Sequence, residues 1–134
     1  MRQGLMGGQF MATSLTADNR QMCTPMSIQS LPSTGDFQDH VSFGLNAARR
    51  TRDILRNCTY ILAFELICAC QAADIRGVEQ LSSATKRLHA LVREKIPYLD
   101  HDEPLTDYIE AVADDFATGA FLEALPETVD AYDW

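Results

Sequence analysis

No proline occurs between Val41 and Arg76, and Gly77 follows as a natural helix stop. Along this run Leu45, Ala48, Leu55, Thr59, Leu62, Leu66, Ala69 and Ala73 recur at alternating steps of three and four once Arg52 fills one gap. The pattern predicts one helix over about 38–76, with Asp36 or Ser33 as its cap and Asp39 placed favourably for the helix dipole. Such a helix spans on the order of 50 Å, more than the diameter of a compact domain of this length. Its second half is apolar nearly all round (Ile61, Leu62, Ala63, Phe64, Leu66, Ile67, Cys68, Ala69). A helix of that kind needs neighbours on every side, and 134 residues supply too few.

The rest of the chain reads as helices joined by punctuated loops. Leu5, Met6, Phe10, Met11 and Leu15 have roughly helical spacing over 3–20, with no capping signal before them, as in a helix cut into or one continuing from another polypeptide. Gly4, Gly7 and Gly8 each cost about 1 kcal/mol of helix propensity, which points to close approach of another backbone in tight helix packing, with a functional glycine as the second reading. Cys23–Asp36 holds Pro25, Pro32 and Gly35, and is anchored by Met26, Ile28 and Leu31. An ordered loop of that length is commonly functional. A third helix is expected from Ser82 or Ser83 to about Ile96, stopped by Pro97. A last one is expected from near Thr106 to about Leu125, with an acidic tail over 126–134. The fold class is therefore all-α, a long-helix bundle, with one helical segment over 1–125 and a site loop at 23–40.

Charge and chemistry narrow the function. The formal net charge is −8, which disfavours nucleic acid and anionic membrane as partners. From Asp100 onward there are eleven Asp or Glu and no Lys or Arg, whereas Arg49, Arg50, Arg52 and Arg56 face a single Asp53. That Arg stripe is expected to pair with carboxylates of a neighbouring helix or subunit. Cys23, Cys58, Cys68 and Cys70 read as reduced core or near-core thiols of a cytoplasmic protein, and Cys68 and Cys70 are too close in sequence to share one helix face as a zinc site. No signal peptide pattern is visible, and the apolar stretch 60–73 falls short of the roughly 20 residues a bilayer requires. Residues Asp100, Asp102 and Glu103 lack the EF-hand pattern, so no metal site is expected, and His89 and His101 read as structural or solvent-facing.

The group Thr34, Phe37, Gln38, Asp39 and His40 stands apart. It places polar groups and an aromatic at the expected start of the long helix, where backbone N–H groups are free and the dipole is positive. Gln38 offers both a donor and an acceptor, which suits orientation of a polar ligand rather than proton transfer. A capped helix start accounts for the same residues equally well.

Several separated motifs carry a resemblance. Met-Ser-Ile-Gln-Ser-Leu-Pro-Ser-Thr-Gly-Asp-Phe-Gln-Asp-His-Val-Ser-Phe-Gly-Leu-Asn-Ala-Ala-Arg-Arg (26–50) resembles the aromatic amino acid ammonia-lyase and aminomutase family, which includes histidine, phenylalanine and tyrosine ammonia-lyases. So do Gly-Leu-Met-Gly-Gly-Gln-Phe (4–10), Leu-Ala-Phe-Glu-Leu (62–66), Leu-Ser-Ser-Ala-Thr (81–85) and Arg-Glu-Lys-Ile-Pro-Tyr-Leu-Asp-His-Asp (93–102), in order and at matching distances. The resemblance implies elimination of ammonia from an aromatic amino acid, or its shift from α to β. The implied electrophile is a methylidene-imidazolone ring (MIO) made from an internal Ala-Ser-Gly, which this chain lacks. It therefore implies the C-terminal quarter or so of such an enzyme, with no catalytic residue of its own. Its expected partners are the N-terminal portion and other subunits of a tetramer-type bundle. By the same resemblance Thr34, Phe37 and Gln38 line the substrate site. Gln38 matches phenylalanine- and tyrosine-type text, His40 matches histidine-type text, and Phe37 and Thr34 depart from the usual residues. A non-catalytic helical interaction module is the alternative.

Overall fold

The computed structural model describes residues 5–37 and 39–124; the acidic tail expected over 126–134 lies outside them. Four α-helices appear: α1 (Met6–Met22), α2 (Gly44–Arg76), α3 (Ser83–Lys95) and α4 (Thr106–Thr118). Short 3₁₀ turns occupy Met26–Gln29, Val78–Gln80 and Ala120–Ala124, and there is no strand among the described residues. The all-α expectation holds. Residues up to Ala12 together with those from Thr59 onward form one compact unit, and Thr13–Cys58 forms a second.

In the larger unit, Ala63, Phe64, Ile67 and Cys70 line one face of α2. They meet Val92 and Ile96 of the α3 end, Ile109, Val112 and Ala113 of α4, and Phe121. Ile67, Ile96, Val92 and Val112 are the largest fully buried side chains, each stabilising by about 1.5–3 kcal/mol. Gly8 explains one of the expected glycine approaches. A Cβ there would overlap the ring of Phe64, so α1 reaches this core only with hydrogen at that position.

Several element boundaries and faces differ from expectation. α2 starts at Gly44, not near residue 38, and Asp36 and Ser33 do not cap it. Residues 39–43 are non-helical, and Phe43 has a φ of 51° before the N–H of Ala47 donates to its carbonyl. The stripe chosen by the three-four spacing is not the core face. Leu45, Leu55 and Leu62 on it are exposed, while the core takes the face at 63, 64, 67 and 70. This is the consequence of an all-round apolar helix in a chain with too few neighbours. By length and composition alone the whole of α2 is long and apolar enough to cross a membrane, a test that core helices of soluble proteins also pass; the expectation concerned only the stretch 60–73.

α3 follows expectation: the Ser82 side chain accepts from the N–H of Thr85 at 3.3 Å, and Ile96 is the C-cap. α4 ends at Thr118, earlier than about Leu125, because Gly119 adopts a left-handed φ of 78° that closes the helix. No side chain caps its start.

Candidate functional site

The loop expected to carry the site belongs to the smaller unit. Its entry is fixed by local hydrogen bonds. Thr24 Oγ1 donates to the carbonyl of Gln21 at 3.1 Å, and Arg50 Nη1 donates to the Thr24 carbonyl at 3.2 Å. The N–H of Val41 donates to Ser30 Oγ at 2.9 Å, which ties the loop exit back to its middle. Asn57 Nδ2 donates to Asn19 Oδ1 at 2.9 Å, joining α2 and α1 within this unit.

At the loop tip Thr34, Gly35 and Asp36 have φ of 58°, 61° and 64° in succession. Two of the three carry a Cβ, so the turn stores strain of about 1–3 kcal/mol per non-glycine residue. The N–H of Phe37 donates to the Thr34 carbonyl at 3.2 Å, and Thr34 Oγ1 lies 3.5 Å from Ser33 Oγ. The turn thus brings the backbones of Thr34 and Phe37 together, and leaves Phe37 85% exposed. Gln38, the third expected site residue, lies outside the described residues. Asp39 and His40 follow in an exposed non-helical stretch. The positive end of α2 therefore starts at Gly44 and not within this group, which removes the dipole argument for Gln38. No cluster of three metal-ligating side chains occurs among the described residues.

A polar network in the larger unit was not legible in the sequence. Asp74 Oδ2 accepts from Arg93 Nε at 2.9 Å and from Nη2 at 2.6 Å, and Asp74 Oδ1 lies 2.8 Å from His89 Nε2. Arg93 Nη1 also donates to the carbonyls of Ile96 and Pro97, and Gln71 holds Leu99. The network fixes the chain as it leaves α3, and it gives His89 the structural role expected of it. A weak signal was available: Gln71 and Asp74 are polar at helical spacing on an apolar helix, as His89 and Arg93 are on α3. His101 is exposed, 3.3 Å from Asp100.

The remaining expectations sort cleanly. All four cysteines are free, but Cys23 is exposed rather than near the core. Burial pushes the Cys68 and Cys70 thiols up, with Glu65 adding to the rise at Cys68 and Arg93 partly opposing it at Cys70. Arg52 pairs at 3.6 Å with its sequence neighbour Asp53 rather than with another helix, and both are exposed.

The helical scaffold is shared with proteins of known structure. The model of the aromatic amino acid lyase family matches residues 1–94, and the chain belongs to that family. It is 52% identical over 123 residues to a tyrosine ammonia-lyase of Cupriavidus metallidurans, covering 91% of this chain and 23% of that protein. It is 39% identical over 126 residues to a histidine ammonia-lyase of Natranaerobius thermophilus, covering 94% of this chain and 25% of that protein. Among solved structures, the phenylalanine aminomutase of Pantoea agglomerans is 59% identical over 84% of this chain and 22% of its own, with a TM-score of 0.80. The chain thus spans about a quarter of the length of the relatives it matches.

Proposed function

We propose that this chain forms the C-terminal part of an aromatic amino acid ammonia-lyase or aminomutase, acting only together with the remainder of that enzyme. The observation that carries this is the match over almost the whole chain to a quarter of both kinds of enzyme. The MIO ring implied by the family is built from Ala-Ser-Gly, and none occurs in these 134 residues. The residues present do not make the electrophile, so it is assigned to the remainder, and this chain contributes structure and one wall of the site.

That wall is the loop 23–40. Thr34 and Phe37 share one turn, the Ser33 and Thr34 hydroxyls lie 3.5 Å apart, and Phe37 is exposed. Such a surface can orient an aromatic amino acid through ring packing and hydroxyl or amide hydrogen bonds, with Gln38 as the adjacent polar group. The Gln38 amide and the hydroxyls suit orientation of a polar ligand rather than proton transfer. The face of α2 bearing Leu45, Leu55 and Leu62 is assigned to contact with the remainder and with other subunits. Four unbridged cysteines fit a cytoplasmic setting.

The test is co-expression with an Ala-Ser-Gly-bearing partner, here the rest of the Cupriavidus metallidurans tyrosine ammonia-lyase. The complex should release ammonia from tyrosine or phenylalanine and accumulate the corresponding unsaturated acid, followed by ultraviolet absorbance; a β-amino acid instead assigns the aminomutase. A complex without product would favour a non-catalytic helical module.

A further inference from the structure

The larger unit contains a groove of about 860 Å³ that the loop chemistry does not use. Its apolar lining includes Leu5, Met11 of α1, Ala72 of α2, and Leu105 and Ile109 at α4. Its rim is the strap after Pro97, carrying Asp100, His101, Asp102 and Glu103. Among the described residues no Lys or Arg lines it. Ile75 is 71% exposed and Tyr98 51% exposed, so large apolar side chains stand at the mouth. The strap is not loose, because Gln71 and Arg93 hold it by its backbone.

We propose that this groove seats an apolar helix edged with Lys or Arg that belongs to the remainder of the enzyme, a partner assignment that rests on the function proposed above. Two observations choose this occupant. The relatives carry about three-quarters of their length beyond the matched region. The rim also has three carboxylates against one imidazole, within a stretch that has eleven acids and no Lys or Arg from Asp100 on. A cationic edge is therefore attracted along the whole rim while the apolar side covers Ile75 and Tyr98. A second copy of this chain is disfavoured, since each copy carries −8 and would present the same acidic strap.

The experiment co-expresses this chain with the rest of the Cupriavidus metallidurans tyrosine ammonia-lyase and measures the amount that co-purifies. In the complex, amide hydrogen exchange over 98–106 should slow relative to the chain alone. The Asp102→Lys/Glu103→Lys double variant, at exposed positions and with its helix content checked by circular dichroism, should lower co-purification about tenfold and make it insensitive to added salt. Ile75→Ser should lower it with the salt response retained. Wild-type co-purification by both variants, or unchanged exchange over 98–106, overturns the groove assignment; if that complex still makes product, the proposed function stands. A protected groove in a complex without product upholds the groove and defeats the function. No co-purification of the unsubstituted chain overturns both, and a salt-sensitive self-dimer blocked by the same variants overturns the groove assignment.

Discussion

Gln71 grips Leu99 by both ends of its side-chain amide: Nε2 donates to the Leu99 carbonyl at 3.0 Å, and Oε1 accepts from the Leu99 N–H at 3.1 Å. A residue in α2 thereby supplies the backbone pairing that a strand neighbour would give, 28 positions along the chain. Gln71→Leu leaves both partly buried backbone groups unsatisfied and removes an acceptor of Arg93 Nη2. The expected loss is about 2–3 kcal/mol in urea unfolding. Gln71→Glu keeps the acceptor but faces the carbonyl with an oxygen, so it should fall between. A Gln71→Leu midpoint equal to the unsubstituted chain would show that water replaces the grip without loss.

Gly7 and Gly8 are adjacent in α1, yet alanine should have opposite effects at the two. Nothing lies within 4 Å of a Cβ at Gly7, so Gly7→Ala gains helix propensity, about 0.5–1 kcal/mol. At Gly8 the same gain competes with overlap on the Phe64 ring, which is 9% exposed and cannot swing into solvent without opening the core. Overpacking costs about 1–3 kcal/mol, so Gly8→Ala should destabilise. In a Phe64→Leu background its sign should reverse. Equal midpoints for both alanine variants would remove the assigned contact.

The buried thiols should make stability fall in alkaline solution. Cys68 and Cys70 are raised from the ordinary value of 9.0, chiefly by burial. Above that value the unfolded chain has released both protons while the folded chain retains them. Their contribution is complete below pH 9 and is lost as pH rises toward the folded values. A Cys68→Ala/Cys70→Ala variant should lose less stability between pH 8.5 and 10.5 than the unsubstituted chain. At pH 8 a thiol reagent should label exposed Cys23 well before Cys68 and Cys70. Simultaneous labelling of all four would contradict the burial.

What could be read from residues alone follows from how local each determinant is. The Pro-free run to Arg76 and the Ser82 cap are local signals, and both elements formed. The start of α2 depended on a left-handed Phe43, which no propensity favours. The end of α4 was hidden because Phe121 and Leu122 continue the apolar pattern past Gly119, whose conformation is what stops the helix. The core face of α2 was illegible for a different reason: Ala63, Phe64, Ile67 and Cys70 are no more apolar than Leu62, Leu66 and Ala69. Only the positions of α3 and α4 decide between those faces. Likewise Gln71 and Asp74 acquire meaning only from partners 15 to 28 residues away. At the candidate site, spacing supplied a polar and aromatic group, and the turn does join Thr34 to Phe37. Its reading as a substrate wall came from resemblance, since an exposed turn before a helix has no chemistry peculiar to one ligand.

Gln38 gives the sharpest test of that wall. In the assembled enzyme, an amide there can donate to and accept from a polar substrate group, whereas a carboxylate only accepts and carries charge. Gln38→Glu should therefore lower kcat/KM on tyrosine or phenylalanine by about 10- to 100-fold, the equivalent of one or two hydrogen bonds, and raise relative use of histidine, whose imidazole can donate. Gln38→Ala should lower kcat/KM on every substrate without the shift in preference. Phe37→Ala should raise KM more than it lowers kcat, because ring packing is kept from ground state to transition state. Steady-state kinetics on the three amino acids, with complex assembly checked by size-exclusion chromatography, separate these outcomes. Unchanged kinetics for Gln38→Ala in a fully assembled enzyme would take the loop 23–40 out of the substrate site.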